Sequence, residues 1–455
     1  MLYKQAMKIS FLANHLWLVS LLVVCSYAEE KKLTLPEAIS KAVENNFTLA
    51  TSQIEATFPD IQLQIAQSDF RWKTYPTLVV ETDSRYETTS TVGARVEKSF
   101  SPGTLFQVRA EWIAREENEN GERVDLRVEQ PLFKRFGKSA TYQAIDDAAF
   151  NLQSAQLRLH RETETLILRV VTSYTMALNQ AERLKQEITA LIRAADLVRL
   201  VEVKQRQGRA TGVEVLEMKM LHRQAELRFR QAEERLLQSR ADLAELMGRV
   251  SDQLPQLESV ELDKRSLPDT AEAERIARDN RVEREQALAS YANARRQLKL
   301  EERELYPDVR IIGNYRPVTD SGEEEWFAGL SAGRNLDTRT INLQIEQEQN
   351  QVQAALMYLA AVEVQISREV HQSRSRLTTL DQEMGIAEAQ LDLSRERLRL
   401  ARGLYPSGRT SSVQLRDAEE EWVESQTNKT DVYLQQVRAR YQFWYVLGLL
   451  LGDPE

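Results

Sequence analysis

The residues able to do metal or covalent chemistry are few in this chain, and none of them is grouped. Past the first 28 residues the histidines are His160, His222 and His371, each alone in a helical stretch, and the single cysteine is Cys25. Zinc and copper sites need clustered nitrogen and sulfur ligands, so no metal centre is expected. Met218 and Met220 could suggest a soft metal, but a spacing of two puts them on different helix faces. No glycine-rich loop offers backbone amides to a phosphate. Carboxylates recur four apart with polar neighbours, as in Glu182–Gln186 and Glu420–Glu424, which reads as solvated helix surface. Neither catalysis nor a cofactor is expected.

A chain without reactive groups works through its shape. Across 455 residues there are only 16 glycines and 11 prolines, with 28% charged residues, a profile of long helices. The formal net charge of −9, with no basic cluster interleaved with aromatics, gives no reason to expect nucleic acid. Residues 1–28 have the pattern of a secretory signal: Lys4 and Lys8, the apolar run Phe11 to Val24, then Ser26-Tyr27-Ala28. Lipidation at Cys25 is the weaker reading, because Val24 stands where a small residue is expected. Cleavage after Ala28 leaves a cysteine-free chain of net charge −11, with no disulfide framework. No later stretch approaches the ~20 apolar residues of a membrane-spanning helix.

The remainder states one plan twice. Leu35-Pro36, Asn45-Asn46 and Tyr75-Pro76 recur in order as Leu267-Pro268, Asn280 and Tyr306-Pro307. Ile145, Leu152, Leu159, Leu166, Val170, Ala177, Leu184, Leu191 and Val198 recur 200 residues later as Ile345, Val352, Leu359, Ile366, Val370, Leu377, Met384, Leu391 and Leu398, and Gly208 recurs as Gly408. A repeat this long marks a duplicated domain rather than a solenoid. The halves span residues 29–250 and 269–455, joined by a linker at 251–268. Each runs helix, strands, very long helix, tip, return helix. The first helix opens at the capping box Thr34-Leu35-Pro36-Glu37 and is expected to reach Trp72, kinked at Pro59.

Between about residues 77 and 133 the hydrophobic period changes to two. Leu78, Val80 and Thr82, then Val92, Ala94 and Val96, then Phe106, Val108, Ala110 and Trp112, then Val124, Leu126 and Val128 alternate with mostly polar neighbours. That predicts four strands, with turns at Ser101-Pro102-Gly103 and Asn118–Gly121. At about 308–335 only two are evident, Val309 to Tyr315 and Trp326 to Ala332. A soluble half-buried sheet alternates in the same way; in an exported chain the pattern also suits a membrane barrel around a wet lumen. The long helices, roughly 138–206 and 340–402, would each run ~95–105 Å, too long for a compact core, so their narrow heptad stripes must pack on other helices. They end at tips 207–212 and 403–410.

The ordered motifs resemble the TolC family of bacterial outer-membrane efflux proteins over essentially the whole mature chain. They are Leu33-Thr34-Leu35-Pro36-Glu37-Ala38-Ile39 with Glu44-Asn45-Asn46, Gln130-Pro131-Leu132-Phe133, Gly208-Arg209-Ala210-Thr211 with Glu214-Val215-Leu216, and Tyr405, Gly408 and Asp417-Ala418. The chain departs from the family pattern in several places: Phe47 replaces a usual proline, Gly333-Arg334-Asn335-Leu336-Asp337-Thr338 replaces a second Pro-Leu-Phe-type motif, and the first half carries an extra hairpin. At the tips, Glu214 replaces an aspartate, Gln414 stands where an aspartate is common, and Thr410 where some members have arginine. The resemblance implies a mostly α fold with a β-barrel portion, duplicated within the chain. It implies a homotrimer in which each protomer gives four strands to one barrel in outer-membrane lipid and four helical strands to a periplasmic tunnel. It also implies an exit duct for a tripartite pump or type I secretion system, working with a periplasmic adaptor (membrane fusion) protein and, through it, an inner-membrane transporter of RND, ABC or MFS type. By position, Glu214, Tyr405, Gln414 and Asp417 fall at the periplasmic gate, and Gly208, Arg209, Ala210, Gly408, Arg409 and Thr410 at the adaptor-contacting tips. The residues alone leave two plainer readings open: Glu214 and Asp417 as stabilisers of the first turn after each tip, and the whole chain as a soluble periplasmic coiled-coil scaffold.

Overall fold

A computed structural model describes residues 32–82, 88–115, 120–208, 210–249, 255–263, 265–318, 324–405 and 409–451. The expected signal segment with Cys25, the tip residues Arg209 and Gly408, and the start of the linker lie outside them. Contacts divide the chain into two compact units, each drawing on both halves of the sequence.

The first unit comprises the chain up to Ala50, Glu162–Ala277 and the chain from Glu369 onward. It is helical. Helix α1 (Leu35–Asn45) has Thr34 as its N-cap, whose side chain accepts a hydrogen bond from the Glu37 amide. The single long first helix expected from the sequence is three: α1, α2 (Phe47–Glu55) and α3 (Thr57–Ser68), the last lying in the second unit. Asn46 makes the first break. Its side-chain oxygen caps Leu49 N at 3.0 Å and its amide donates to Leu246 O at 3.0 Å. Pro59 sits in the first turn of α3, and the interruption before it falls at Ala56, whose backbone stays αR: without an N–H, Pro59 cannot make the bond to Glu55 O that would carry the helix across.

The core of this unit gathers Val170, Val171 and Tyr174 of α5 (Gln143–Arg206), Leu243 and Met247 at the end of α6 (Gly212–Leu246), α7 (Thr270–Asn280) through Ala273 and Ala277, and Phe443 and Leu447 of α10 (Ser412–Val446). A belt of irregular chain crosses it. Leu33 bridges to Leu257, and the Tyr174 hydroxyl lies 2.6 Å from Leu33 O and 2.8 Å from Glu258 O. Asp263 holds the belt to α10 by accepting from Trp444 Nε1 at 2.9 Å and from Arg265. Burial alone would push the Asp263 carboxyl up, but the hydrogen bonds from Arg265 and Trp444 outweigh it and hold it below the usual carboxylate range. Its stabilisation is therefore present above that range and lost as pH falls.

Burial pushes the Tyr174 phenol up to about 12 from its ordinary 10.0. The neutral phenol thus contributes fully below pH 10, and the contribution is lost as pH rises through 12. Tyr174→Phe is expected to cost about 0.5–1.5 kcal/mol by removing the hydroxyl shared between Leu33 O and Glu258 O. A thermal melt checks this, and an unchanged Tm would mean the belt is not held by this hydroxyl.

The duplication persists in the helix ends. Gly248 and Gly448 both adopt positive φ (68° and 71°), and the following amides reach back to Ala244 O (2.9 Å) and Trp444 O (3.0 Å), the same C-terminal cap 200 residues apart. At Gly248 a Cβ would lie 2.0 Å from Asn45 O, so no other residue fits there.

The second unit comprises Thr51–Arg161 and Arg278–Arg368. Its centre is a six-stranded antiparallel meander in chain order: β1 (Lys73–Thr82), β2 (Thr88–Ser99), β3 (Leu105–Arg115), β4 (Gly121–Pro131), β5 (Asp308–Val318) and β6 (Glu325–Gly333). The β2–β3 turn docks on the segment leading to the short helix α4 (Lys138–Thr141): the Gly137 amide donates to Pro102 O at 3.2 Å, and Gly103, at φ 91°, sits where a Cβ would meet Arg135 O at 2.9 Å. Helix α8 (Val282–Glu302) is tied to the start of α5 by Gln286 Nε2 to Ser154 Oγ (3.1 Å) and Gln297 Nε2 to Asp147 Oδ1 (2.7 Å), and to the start of α9 (Thr338–Leu404) by Arg284 Nε to Glu363 (3.0 Å). All nine heptad positions of α5, and all nine of α9, are buried or half-buried.

Candidate functional site

Two features could serve a function: the helical tips of the first unit and the sheet of the second. At the first tip Gly208 takes φ 71° with open space around it, and its amide donates to Gln205 O at 2.9 Å, closing α5. Thr211 then starts α6. Its hydroxyl accepts from Glu214 N at 3.2 Å, while the Glu214 carboxylate accepts from Thr211 N at 3.1 Å. At the second tip Ser411 and Gln414 make the same reciprocal pair, at 3.2 and 3.0 Å. Glu214 and Gln414 are thus equivalent members of two capping boxes 200 residues apart. Asp417 accepts from the guanidinium of its neighbour Arg416 at 3.0 Å. Ala210 and Thr410 are half-buried and Arg409 is exposed, with its amide on Leu404 O at 3.2 Å.

Tyr405 engages the other half of the sequence. Lys204 of α5 donates to its hydroxyl at 3.1 Å and lies 5.2 Å from its ring centroid. Behind it Leu398, Ala401 and Ala418 form a small core with Leu415 and Trp422, and Arg402 pairs with Glu419 at 3.1 Å. Lys204 is the residue that motif reading missed, because its partner is 201 positions away and no local pattern marks it. A cleft of about 650 Å³ opens among α5, α6 and α10, lined by five arginines and four glutamates. With charge so nearly balanced it favours neither sign of ligand.

Large apolar side chains stand exposed around these helices in two ridges of heptad spacing: Ile386, Leu393 and Leu400 on α9, and Val213, Met220 and Leu227 on α6.

The sheet has one apolar and one charged face. Leu78, Val92, Trp112, Val128, Ile311, Trp326 and Leu330 share one side, and all are exposed. Aromatics mark both ends of that apolar band: Phe106 and Trp72 toward the helical connections, in edge contact at 6.1 Å, and Trp112, Tyr315 and Trp326 at the other end. The opposite face carries a lattice of ion pairs. Arg310 binds Glu129 (2.8 Å) and Asp308 (2.5 Å), Arg316 binds Asp125 (2.6 Å) and Glu325 (2.7 Å), and Arg127 binds Glu129 (3.2 Å). Val79, Leu105, Ile113, Ile312 and Phe327 are apolar residues on the charged side. Among the described residues no helix is long and apolar enough to cross a membrane, which says nothing of a barrel, and no cluster of three metal-ligating side chains occurs.

No family model matches the sequence, and no curated protein does. Solved structures match it over nearly its whole length. The outer-membrane channel OprN superposes with a TM-score of 0.69 at 16% identity, covering 91% of this chain and 89% of its own. The outer membrane protein VceC of Vibrio cholerae gives 0.68 at 15% identity, covering 91% and 96%. The CmeC outer membrane channel of Campylobacter jejuni gives 0.68 at 12% identity, covering 92% and 87%.

Proposed function

We propose that this chain, whose fold is that of these TolC-like outer-membrane channels, is the outer-membrane exit duct of a tripartite efflux pump or type I secretion system. The observation that carries the proposal is the two-faced sheet: an exposed apolar band with aromatic ends on one side, and a charged, ion-paired wall on the other. Water on both faces would leave the apolar band unsatisfied; lipid on one and water on the other satisfies both. The two similar halves, 29–250 and 269–455, then supply six similar repeats around the axis of a homotrimer. The exposed heptad ridges of α6 and α9 supply the contacts between copies.

In this reading the protein is passive and an inner-membrane transporter supplies the energy through a periplasmic adaptor. The adaptor meets the tips at Gly208, Arg209, Ala210, Gly408, Arg409 and Thr410. Glu214, Tyr405, Gln414 and Asp417 lie at the constriction; among the described residues Glu214 is engaged with its own cap, whereas Asp417 has Arg416. Fractionation tests the proposal. The protein should resist osmotic-shock release, require detergent and run as a trimer; recovery as a soluble monomer would favour the scaffold reading instead.

Glu214→Gln separates cap from gate. Glutamine keeps the capping box, as Gln414 does at the other tip, so the stability of α6 should be unchanged. Three carboxylates leave the constriction, so cation preference in single-channel recordings should fall several-fold. Unaltered selectivity would restrict Glu214 to capping.

A further inference from the structure

We infer that all six strands of each copy enter the barrel, which closes by pairing β6 of one copy with β1 of the next and so contains eighteen strands rather than twelve. This rests on the trimeric reading above. The occupant of both free sheet edges is a second copy of this chain.

The register carries the argument. Followed across the sheet at right angles to the strands, Lys73 of β1 is level with Glu97, Gln107, Arg127, Asn314 and finally Phe327 of β6. The strand ends nearest the helices recede steadily along that row. Lys73 ends β1, whereas Ser99 and Leu105 lie two residues past the row, Pro131 four, and Asp308 and Gly333 six. Six residues are about 20 Å along a strand, and five strand steps are about 24 Å across, which sets a tilt of about 40°. A closed membrane barrel needs roughly 35–45°. The hairpin that exceeds the implied four strands shares in this stagger, and its turn is docked among the connections at the helical end. It is a continuous part of the wall.

Chemistry and parity agree. The row of backbone groups on the outer edges of β1 and β6 has no partner within the sheet, and lipid cannot satisfy it. An even number of meandering strands brings β6 and the next β1 together antiparallel. The edges match in length, ten residues against nine, and both carry apolar side chains on the same face, Leu78 and Val80 against Trp326 and Leu330. On the charged face β6 offers Gly329, Ser331 and Gly333, with open space at Gly333, beside Tyr75 and Thr77 of β1. At this tilt the backbone diameter rises from about 24 Å for twelve strands to about 36 Å for eighteen, roughly 1.5-fold.

Continuing the same stagger brings Ser331 opposite Tyr75 or Thr77 of the next copy. Within one copy these positions are five strands apart, about 24 Å, so no disulfide can form inside it. The mature chain, cleaved after Ala28, has no cysteine of its own to confuse the result. The full-length protein carrying Ser331→Cys with Tyr75→Cys, or Ser331→Cys with Thr77→Cys, is purified in detergent, sized, oxidised and run without reductant. The single-cysteine variants serve as folding controls. At least one pair should shift most of the chain to dimer and trimer bands that collapse on reduction. Cross-linking of Ser331→Cys to Gln107→Cys instead would show that β1 and β2 lie outside a twelve-stranded barrel and overturn the inference. A correctly sized trimer in which neither β1 pair cross-links overturns it equally, while a particle that is not a trimer sinks the duct proposal together with it.

Discussion

Leu393→Glu is expected to reduce the assembled particle to monomers. Helix α9 carries two apolar seams. One, through Leu391 and Leu398, is packed within the copy; Leu393 lies about 200° around the helix from Leu391, with 72% of its surface exposed. Ile386 and Leu400 flank it at seven-residue intervals, the spacing of a helix that expects a neighbour. Burying a leucine is worth about 1.5–3 kcal/mol, and an unpaired carboxylate in its place adds a further penalty. Repeated at three interfaces, this should weaken assembly by more than about 100-fold, since each 1.4 kcal/mol is a factor of ten. Light scattering after size-exclusion reads the result directly. Leu393→Ala should be intermediate, and a trimer indifferent to both changes would move the contact to another face.

Loosening the second tip should open the duct in a graded way. Lys204 donates to the Tyr405 hydroxyl and also sits beside its ring. Tyr405→Phe removes the acceptor and keeps the ring; Lys204→Ala removes both interactions. A hydrogen bond to a charged group contributes about 1.5–3 kcal/mol and an exposed cation–π contact about 0.5–1 kcal/mol. Both groups are half-exposed, so about 1 kcal/mol for Tyr405→Phe and about 2 kcal/mol for Lys204→Ala is the appropriate scale after solvent screening. Open probability in planar-bilayer recordings should rise roughly 5-fold and 30-fold, in that order. The reverse order, or no change in either, would remove this pair from the closed state.

Much of this was legible because it is periodic. The 200-residue offset appears as buried heptad stripes, as paired capping boxes at Thr211 and Ser411, and as paired terminal glycines at 248 and 448. Alternation located all six strands, although β1 begins at Lys73, earlier than its apolar residues suggest. What escaped is set by contacts between distant segments. The break at Asn46 depends on Leu246 O, 200 residues away, and the belt depends on Tyr174 reaching Leu33 and Glu258. Lys204 looks like any basic residue in a last helical turn until Tyr405 is placed beside it.

The two capping boxes have a consequence for speed. Because α6 and α10 are each capped by their own residues, Thr211–Glu214 and Ser411–Gln414, neither helix start takes its cap from a neighbouring helix. In the proposed duct, parting the tips would therefore displace the helices with their caps intact. No nucleation barrier has to be crossed on closing. Amide protons in the first turns should keep the same exchange protection whether the duct rests or conducts, and the movement itself belongs to the microsecond-to-millisecond range of rigid-body rearrangements.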